Sequence, residues 1–326
     1  MDKIFQYQQY IEQELKGKQY GANPKELYEP IKYIMSLGGK RLRPVLVCVG
    51  CDFFDGPVDK AINAALAIEL FHNFTLVHDD LMDNAPLRRN QQTVHEKWNT
   101  SIAILSGDAM MIASYQELCK TNSEKLPELI SLFSETAIKV CEGQQLDMNY
   151  EKNQKVSIAQ YLKMIELKTA VLLGASLKMG AIIGNAREED GIQLYEFGKH
   201  IGIAFQLQDD ILDVYADEKK FGKKKGGDII ANKKTYLLLK AIEIAEGNRY
   251  MKEELHLWMN APDFNADEKI EAVTNIYDFL NVKELARNEM KKQYNVALAC
   301  LNSIPVDDKK KKLLLDFADS LMTREL

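Results

Sequence analysis

Apolar residues recur along most of the chain at three- and four-residue spacing, which is the period of an amphipathic helix. This pattern predicts helices over 3–16, 25–37, 61–83, 101–121, 127–150, 157–183 and 188–215, and four more within 232–326. Gly38-Gly39 and Pro86 are typical of helix ends. Because the two-residue alternation of strands is almost absent, the sequence predicts an all-α fold.

The helix predicted over 61–83 ends in three aspartates, Asp79, Asp80 and Asp83. At about 100° per residue, the spacing i, i+1, i+4 is expected to place the three carboxylates on one face. Like charges one turn apart repel each other, and the negative end of the helix dipole adds to this repulsion. A hard divalent cation such as Mg²⁺ would relieve it, whereas a solvated acidic helix end is the alternative.

The same spacing returns near the end of the helix predicted over 188–215, at Asp209, Asp210 and Asp213. Two such clusters are much less expected by chance than one. If both helix ends meet at one mouth of a bundle, six carboxylates line a single cavity. Such a cavity would hold several Mg²⁺ ions and, through them, a polyphosphate.

Basic residues are clustered although the formal net charge is −6, which argues against general nucleic-acid binding. Lys40, Arg41 and Arg43 follow Gly38-Gly39 at the entrance to a further predicted helix, which the apolar segment after Pro44 forms. A phosphate contact or a solvated turn would fit there. A second basic group beside the second acidic cluster predicts a mobile lid for an anionic substrate, or simply a solvated face. Its members are Lys223, Lys224, Lys225, Lys233 and Lys234.

The composition is that of an ordinary globular protein, with 46% hydrophobic and 28% charged residues. No run of 18 apolar residues and no signal-peptide pattern occur, so we expect a cytoplasmic protein without a transmembrane segment. Cys48 and Cys51 form a CxxC pair within an apolar helix. They fit buried reduced thiols, with a redox or metal role as the alternative. Asp108, alone in an apolar helix, fits either a satisfied core group or a support for the site.

The motifs GGKRLRP, HDDLMD with a following RR, GQQLD, KTA, QLQDDILD, GKKKGGD and NKKT occur in this order. In this combination, over about residues 30–240, the chain resembles the trans-isoprenyl diphosphate (polyprenyl) synthases. The resemblance implies one domain over 1–326, a large helical bundle around a deep apolar central cavity, and a homodimer. It implies Mg²⁺-dependent condensation of isopentenyl diphosphate with dimethylallyl, geranyl or farnesyl diphosphate, by ionisation, condensation and elimination with release of diphosphate.

The resemblance also implies roles for individual residues. Three Mg²⁺ ions per active site, with Mn²⁺ as a substitute, would be held by Asp79, Asp80, Asp83, Asp209, Asp210 and Asp213. The allylic diphosphate would contact Arg88, Lys168, Lys223, Lys233 and Gln206. Isopentenyl diphosphate would contact Lys40, Arg43, His72 and Arg89. Arg41 and Lys234 also match basic positions of the family, with neither substrate assigned to them. Thr169, Gln144, Gln206 and Phe205 would lie near the reacting carbons, and Asp147 would orient Lys168, so that the catalytic set is Lys168, Thr169, Phe205, Gln206, Lys223 and Lys233.

Product length is expected to depend on residues that precede Asp79, namely Phe71, Phe74 and Thr75. An aromatic residue five positions before Asp79 and a small one four positions before resemble the short-chain synthases. This implies a C20 product, geranylgeranyl diphosphate, with C15 next. The alternatives are a class I terpene cyclase and a non-catalytic subunit of a hetero-oligomeric synthase.

Overall fold

The computed structural model describes residues 2–121, 124–153, 155–216 and 225–322, and most residues in this part of the chain are helical. In order these are α1 (Asp2–Gly17), α2 (Lys25–Ser36), α3 (Leu42–Phe53), α4 (Ile62–Met82), α5 (Val94–Lys97), α6 (Thr100–Leu118), α7 (Leu126–Lys152), α8 (Ile158–Ile165), α9 (Val171–Ile183), α10 (Glu188–Tyr215), α11 (Gly227–Ile230), α12 (Tyr236–Ala245), α13 (Arg249–Asn260), α14 (Ala266–Phe279), α15 (Val282–Ser303) and α16 (Asp308–Met322). A 3-10 turn, Val58–Ala61, precedes α4, and a π-helical turn, Glu166–Ala170, joins α8 to α9. Two short strands, β1 (Leu87–Arg88) and β2 (Gln91–Gln92), pair antiparallel. None of the helices in the described ranges is long and apolar enough to cross a membrane.

The all-α prediction is confirmed, and the helix predicted over 188–215 matches α10 at both ends. Two details of the sequence-based prediction were wrong. The π turn interrupts the helix predicted over 157–183. Five helices, α12 to α16, follow residue 232 instead of four. One reason is that Asn248, whose side chain accepts from Met251 N, starts a new helix only three residues after α12 ends.

Contacts within the chain divide it into two compact units. Unit 1 comprises Met1–Ala137, Leu172–Tyr195 and Ile304–Lys311. Unit 2 comprises Ile138–Val171, Glu196–Ser303 and Lys312–Leu326. The single domain expected over 1–326 stays a prediction, as does the shared cavity expected between the two acidic clusters.

In unit 1, helix α3 is almost entirely buried, and its backbone lies against the backbone of α9. A Cβ atom on Gly50 would be 2.3 Å from the carbonyl oxygen of Leu177, and one on Gly180 would be 2.1 Å from that of Val47. Only glycine allows so close an approach. Cys48 and Cys51 lie on this helix as buried free thiols, and burial raises the pKa of each to about 12. The burial predicted for this pair is therefore confirmed.

In unit 2, the core forms around the C-terminal half of α10, where apolar side chains at helical spacing meet those of α12 and α14. Burial of this apolar surface is the main source of stability for such a core. Because Asp209, Asp210 and Asp213 belong to the same half of α10, this core fixes the position of the second acidic cluster. Its central members are Leu207, Ile211, Leu237, Ala241, Val273, Ile276 and Tyr277.

Candidate active site

The first acidic cluster ends α4 in unit 1, and its three aspartates do not share one face as predicted. Asp83 is exposed and Asp79 is half-buried, whereas Asp80 is only 1% exposed. Arg88 Nε donates to both carboxylate oxygens of Asp80, at 2.8 and 2.7 Å, and Nη2 lies 2.6 Å from Oδ1. Position i+1 of a helix points roughly 100° away from position i, and here that direction is into the protein, where a buried charge needs a partner.

The hairpin of β1 and β2 brings Arg88 back to Asp80. The two turn residues, Arg89 and Asn90, have φ angles of 53° and 61°, and two consecutive left-handed residues are typical of a two-residue hairpin loop. The same turn directs Arg89 towards the loop before α3, where its Nη1 donates to the carbonyl oxygen of Gly38. The sequence did not predict this hairpin, because an arginine rarely adopts a left-handed conformation.

Three of the residues expected to bind isopentenyl diphosphate, Arg43, His72 and Arg89, lie close together in unit 1, and we call this group the cationic pocket. Arg43 Nη1 lies 3.1 Å from His72 Nε2. Because a guanidinium has only donors, Nε2 accepts this bond and the ring is neutral. Burial lowers the pKa of His72 well below its usual value, and the charges of Arg43 and Arg89 lower it further. Burial also lowers the pKa of Arg43 to about 10.

One donor in this pocket is left over. The Nε atom of Arg43 is buried and has no hydrogen-bond partner among the described residues. A buried donor of a charged group that lacks a partner is costly, and an anion bound in the pocket would satisfy it. The exposed Lys40 lies in the loop just before α3. The structure therefore brings Arg43, His72 and Arg89 close together, and their donors and charges suit a diphosphate.

Arg41 does not join this pocket, and its expected phosphate contact was wrong. The side chain is buried, and its Nε, Nη1 and Nη2 atoms donate to Glu12, Glu69 and the carbonyl oxygen of Met35. Each of its three nitrogens is thus engaged inside the protein. The sequence could not show this, because Glu12 and Glu69 are distant in the chain.

The second acidic cluster, in unit 2, repeats the arrangement of the first. Asp210 is only 4% exposed, whereas Asp209 and Asp213 are half-buried. Asp210 Oδ2 accepts from Tyr161 Oη and, at 3.3 Å, from Tyr236 N. The middle aspartate of each cluster is therefore held by protein groups, and neither Tyr161 nor Tyr236 was singled out from the sequence.

A further carboxylate, Asp228, belongs to this cluster and was also missed. Its backbone N donates to Asp213 Oδ2 at 3.0 Å, and its Oδ1 lies 4.0 Å from Lys233 Nζ. Burial raises the pKa of Asp228 to about 6, with Lys233 opposing the rise and Asp213 adding to it. Burial likewise raises the pKa of Asp210 to about 7, with the charge of Asp228 adding to the rise. The GGD sequence directly after the lysine run was the signal for this residue.

Crowded carboxylates of this kind fit a hard divalent cation. No three His, Cys, Asp or Glu side chains of the described residues converge enough to hold a metal by themselves. Mg²⁺ is, however, usually held by one or two carboxylates together with water and substrate phosphates. The donor set of the two clusters, which consists of carboxylate oxygens, has the chemistry that such a site requires.

The π turn presents Lys168 and Thr169, and two glycines make room for it. A Cβ atom on Gly143 of α7 would lie 2.2 Å from Lys168 N, and one on Gly202 of α10 would lie 2.7 Å from Ala170 Cα. Lys168 Nζ donates to Asp147 Oδ2 at 2.6 Å, which is the contact expected for a residue that orients Lys168. Single π turns within helices are frequent at functional sites. The sequence predicted a regular helix here.

A small cavity of about 60 Å³ in unit 2 collects several of the predicted site residues. Thr169 Oγ1 lies 3.5 Å from Gln206 Oε1, and Gln206 Nε2 lies 3.5 Å from Asp210 Oδ1. Phe205 is half-buried on α10, and Gln144 is buried on α7. Lys223 and Lys224 lie outside the described residues. The lining consists of Asp147, Tyr161, Met164, Ile165, Lys168, Thr169, Gln206, Asp210, Lys233 and Thr235.

The residues expected to limit product length lie on α4 in unit 1. Phe74 is buried, with its ring centroid 4.8 Å from that of His78 and 5.5 Å from that of Phe71. Phe71 in turn packs on Phe133 at 5.3 Å, so Phe74 is supported by a second aromatic layer. Thr75 Oγ1 donates to the carbonyl oxygen of His72 at 2.8 Å.

Asp108 is not a buried core group. Its side chain is 57% exposed, and its Oδ1 lies 4.0 Å from His78 Nε2. Of the two interpretations offered for this residue, the satisfied core group was wrong. Its place on the solvent side of α6 explains why an acid is tolerated in an otherwise apolar helix.

Comparisons with known proteins identify the family of this chain. The polyprenyl synthetase family model matches residues 24–277. The chain belongs to the polyprenyl synthetase family. A geranylgeranyl diphosphate synthase of Methanosarcina mazei is 36% identical over 309 residues, which cover 93% of this chain and 91% of the relative. A geranylfarnesyl diphosphate synthase of Natronomonas pharaonis is 31% identical over 319 residues, which cover 92% and 91%. A solved geranylgeranyl pyrophosphate synthase superposes with a TM-score of 0.93 at 41% identity and 99% coverage of each chain.

This polyprenyl synthetase is a prenyltransferase of isoprenoid biosynthesis that elongates prenyl chains. The resemblance to the trans-isoprenyl diphosphate synthases drawn from the motifs is thereby confirmed. The roles of individual residues stay predictions, and they are the basis of the proposal that follows.

Proposed function

We propose that this polyprenyl synthetase joins isopentenyl diphosphate to an allylic diphosphate and releases diphosphate, with a C20 product. The observation that carries the proposal is the cationic pocket in unit 1. Arg43 and His72 are in contact there, and a buried Arg43 donor has no partner among the described residues. A terpene cyclase acts on one allylic diphosphate and has no need of a second diphosphate pocket.

The product length rests on the supported aromatic residue of α4 and on the names of relatives. Phe74 is buried and backed by Phe71 and Phe133, which leaves little freedom for the ring to move aside. The relative from Methanosarcina mazei and the solved homologue carry geranylgeranyl names, which favour C20. The relative from Natronomonas pharaonis carries a geranylfarnesyl name, so C25 joins C15 as an alternative.

Mg²⁺ would be held by Asp79, Asp80 and Asp83 and by Asp209, Asp210 and Asp213, with three ions expected and Mn²⁺ as a substitute. When bound, Mg²⁺ supplies Lewis-acid stabilisation of the leaving diphosphate. Asp80 and Asp210 also have a structural role. Their hydrogen bonds to Arg88 and Tyr161 fix the C-terminal ends of α4 and α10. Asp228 joins the second cluster as a candidate ligand.

The side chains of unit 2 would act on the allylic substrate. Lys168, held by Asp147, and Lys233 place positive charge where negative charge develops as the allylic bond ionises. Thr169 and Gln206 line the same small cavity, and their oxygens would stabilise the allylic cation away from bulk water. Lys223, which is expected to contact the same diphosphate, lies outside the described residues.

The side chains of unit 1 would hold isopentenyl diphosphate. Because His72 Nε2 accepts from Arg43, the proton of the neutral ring lies on Nδ1, which can donate to a phosphate oxygen. Arg43, Arg89 and Lys40 supply the positive charge. The homodimer and the cytoplasmic location expected from the sequence stay predictions.

The test is a product assay with the purified protein. It is incubated with Mg²⁺, isopentenyl diphosphate and each allylic starter in turn, and the products are sized while diphosphate release is followed. We expect a C20 alcohol after dephosphorylation. Chains of C30 or longer would overturn the product length, a cyclic hydrocarbon would favour a cyclase, and no release by the protein alone would favour a non-catalytic subunit.

A further inference from the structure

Arg41 is a buried cation beside the diphosphate pocket that the proposed chemistry does not use. It lies between Lys40, which is exposed, and Arg43, which belongs to the pocket. Its Nε donates to Glu12 Oε1 at 2.7 Å, its Nη1 to Glu69 Oε1 at 2.5 Å, and its Nη2 to the carbonyl oxygen of Met35 at 2.8 Å. Three separate helices, α1, α2 and α4, thus hold one guanidinium.

The backbone around Arg41 is unusual. Gly38, Gly39 and Arg41 have φ angles of 71°, 145° and 48°, so three of four consecutive residues lie in the left-handed region. For a residue with a Cβ this conformation is strained, and it persists when the surroundings hold it. The three hydrogen bonds of the Arg41 side chain are such a restraint.

The loop Gly38–Arg41 in turn positions another cation of the pocket. The carbonyl oxygen of Gly38 accepts from Arg89 Nη1. A Cβ on Gly39 would lie 2.9 Å from Arg89 Nη2, so the guanidinium rests directly on this glycine. The conformation of the loop therefore determines the positions of three cations: Lys40 within the loop, Arg43 at the start of α3, and Arg89.

The charges that hold Arg41 are themselves buried and connected. Glu69 is 2% exposed, and its Oε1 also accepts from Asn73 Nδ2 at 2.9 Å. Burial alone would lower the pKa of Arg41, but Glu69 and Glu12 outweigh it, and the pKa is raised. The guanidinium therefore stays charged, and removing one partner leaves a buried charge uncompensated.

Glu12 lies on α1, which precedes the residues 24–277 matched by the family model. We propose that Arg41, fastened by Glu12 and Glu69, is a positioning residue that sets the loop Gly38–Arg41 to bind the diphosphate of isopentenyl diphosphate. The proposal rests on the proposed function, because it assigns the pocket to that substrate. It makes helix α1 part of the support for substrate binding.

The test compares Arg41→Lys and Glu12→Gln with a matched control. Lys18→Met breaks another ion pair of the same N-terminal region, between Lys18 and Glu117, which is not connected to the loop by any hydrogen bond of the described residues. For Arg41→Lys we expect the KM for isopentenyl diphosphate to rise about tenfold, with the KM for the allylic substrate changed less than twofold. Glu12→Gln, which keeps Glu69 as a partner, should give a smaller change in the same direction. Lys18→Met should lower the melting temperature and leave both KM values unchanged.

The outcome that overturns the proposal is a lowered melting temperature in Arg41→Lys and Glu12→Gln with both KM values unchanged or raised equally. Binding of isopentenyl diphosphate, measured by calorimetry without an allylic substrate, separates this proposal from the proposed function. If the wild type forms no product but binds isopentenyl diphosphate more tightly than Arg41→Lys, the proposed reaction fails and the positioning role stands. If the wild type forms product and Arg41→Lys binds as tightly, the positioning role fails alone.

Discussion

Replacing Gly143 with alanine tests the contact between α7 and the π turn. A Cβ at this position would lie 2.2 Å from Lys168 N and 2.6 Å from Lys168 Cα. Carbon atoms in contact are normally about 3.5 to 4.0 Å apart, so the added methyl group lacks more than about 1 Å of space. Both opposing atoms belong to the backbone, and a rotamer change cannot relieve the overlap. The π turn, and Lys168 with it, must move.

Two opposing effects determine the expected change in stability. An added methyl group in a packed site costs about 1 to 3 kcal/mol. Glycine to alanine within a helix contributes about 0.5 to 1 kcal/mol of stability. We therefore expect Gly143→Ala to lose about 1 to 2 kcal/mol of unfolding free energy and a few degrees of melting temperature. A displacement of Lys168 by about 1 Å should lower kcat by about 100-fold.

Gly191 of α10 offers a matched control. A Cβ there would meet Lys178 Cγ at 3.9 Å and Ala181 Cβ at 4.0 Å, which are ordinary contacts. Gly191→Ala should keep full activity and gain up to about 1 kcal/mol of stability. Thermal unfolding and steady-state kinetics of both variants measure these effects. If Gly143→Ala matched Gly191→Ala in both assays, the close contact with the π turn would be refuted.

Three further predictions concern single side chains. Asp147→Asn removes the charged partner of Lys168. It should lower kcat/KM for the allylic substrate about 10- to 100-fold and leave the KM for isopentenyl diphosphate unchanged. Equal changes for both substrates would contradict this prediction. Phe74→Ala should yield chains longer than the wild-type product by chromatography, and an unchanged length would argue against Phe74 as the limit. Folding lowers the pKa of His72, so at low pH the unfolded chain binds a proton at this residue that the folded chain does not. The free energy of unfolding should therefore decrease as pH falls below about 6.5, by up to about 1.4 kcal/mol per pH unit. Between pH 7 and 5.5 the His72→Gln variant should lose less unfolding free energy than the wild type, as measured by urea unfolding. An equal loss in both proteins would show that His72 is not held neutral in the folded state.

The helices and the site motifs were accessible from the sequence because both depend on local spacing. The apolar period marks α10 at both of its ends, and the two aspartate clusters lie at helix ends as predicted. These features need no knowledge of which helices are neighbours. The contact of Asp147 with Lys168 joins two segments, and it was expected only because GQQLD and KTA match two motifs of the family.

The missed features depend on contacts between distant segments. The π turn at Lys168 requires glycines on α7 and α10, and nothing within the sequence ELKTA itself distinguishes it from a regular helix. Arg41 looked like its neighbours Lys40 and Arg43, and its burial depends on Glu12 and Glu69 from other helices. The sequence shows the type of a charge, whereas the fold decides whether that charge meets a ligand or another side chain.

The two aspartate clusters show that a sequence can sometimes indicate which charged side chain binds another group of the protein. In each cluster the first and last carboxylates are about 40° apart on the helix, and the middle one points roughly 100° from the first. The middle carboxylate therefore faces the protein, where an unpaired charge is costly, and a partner must exist. Arg88 donates to Asp80, and Tyr161 Oη and the backbone N of Tyr236 donate to Asp210. A sequence argument that asks for this partner would identify the middle carboxylate of each cluster as the one that the protein itself binds.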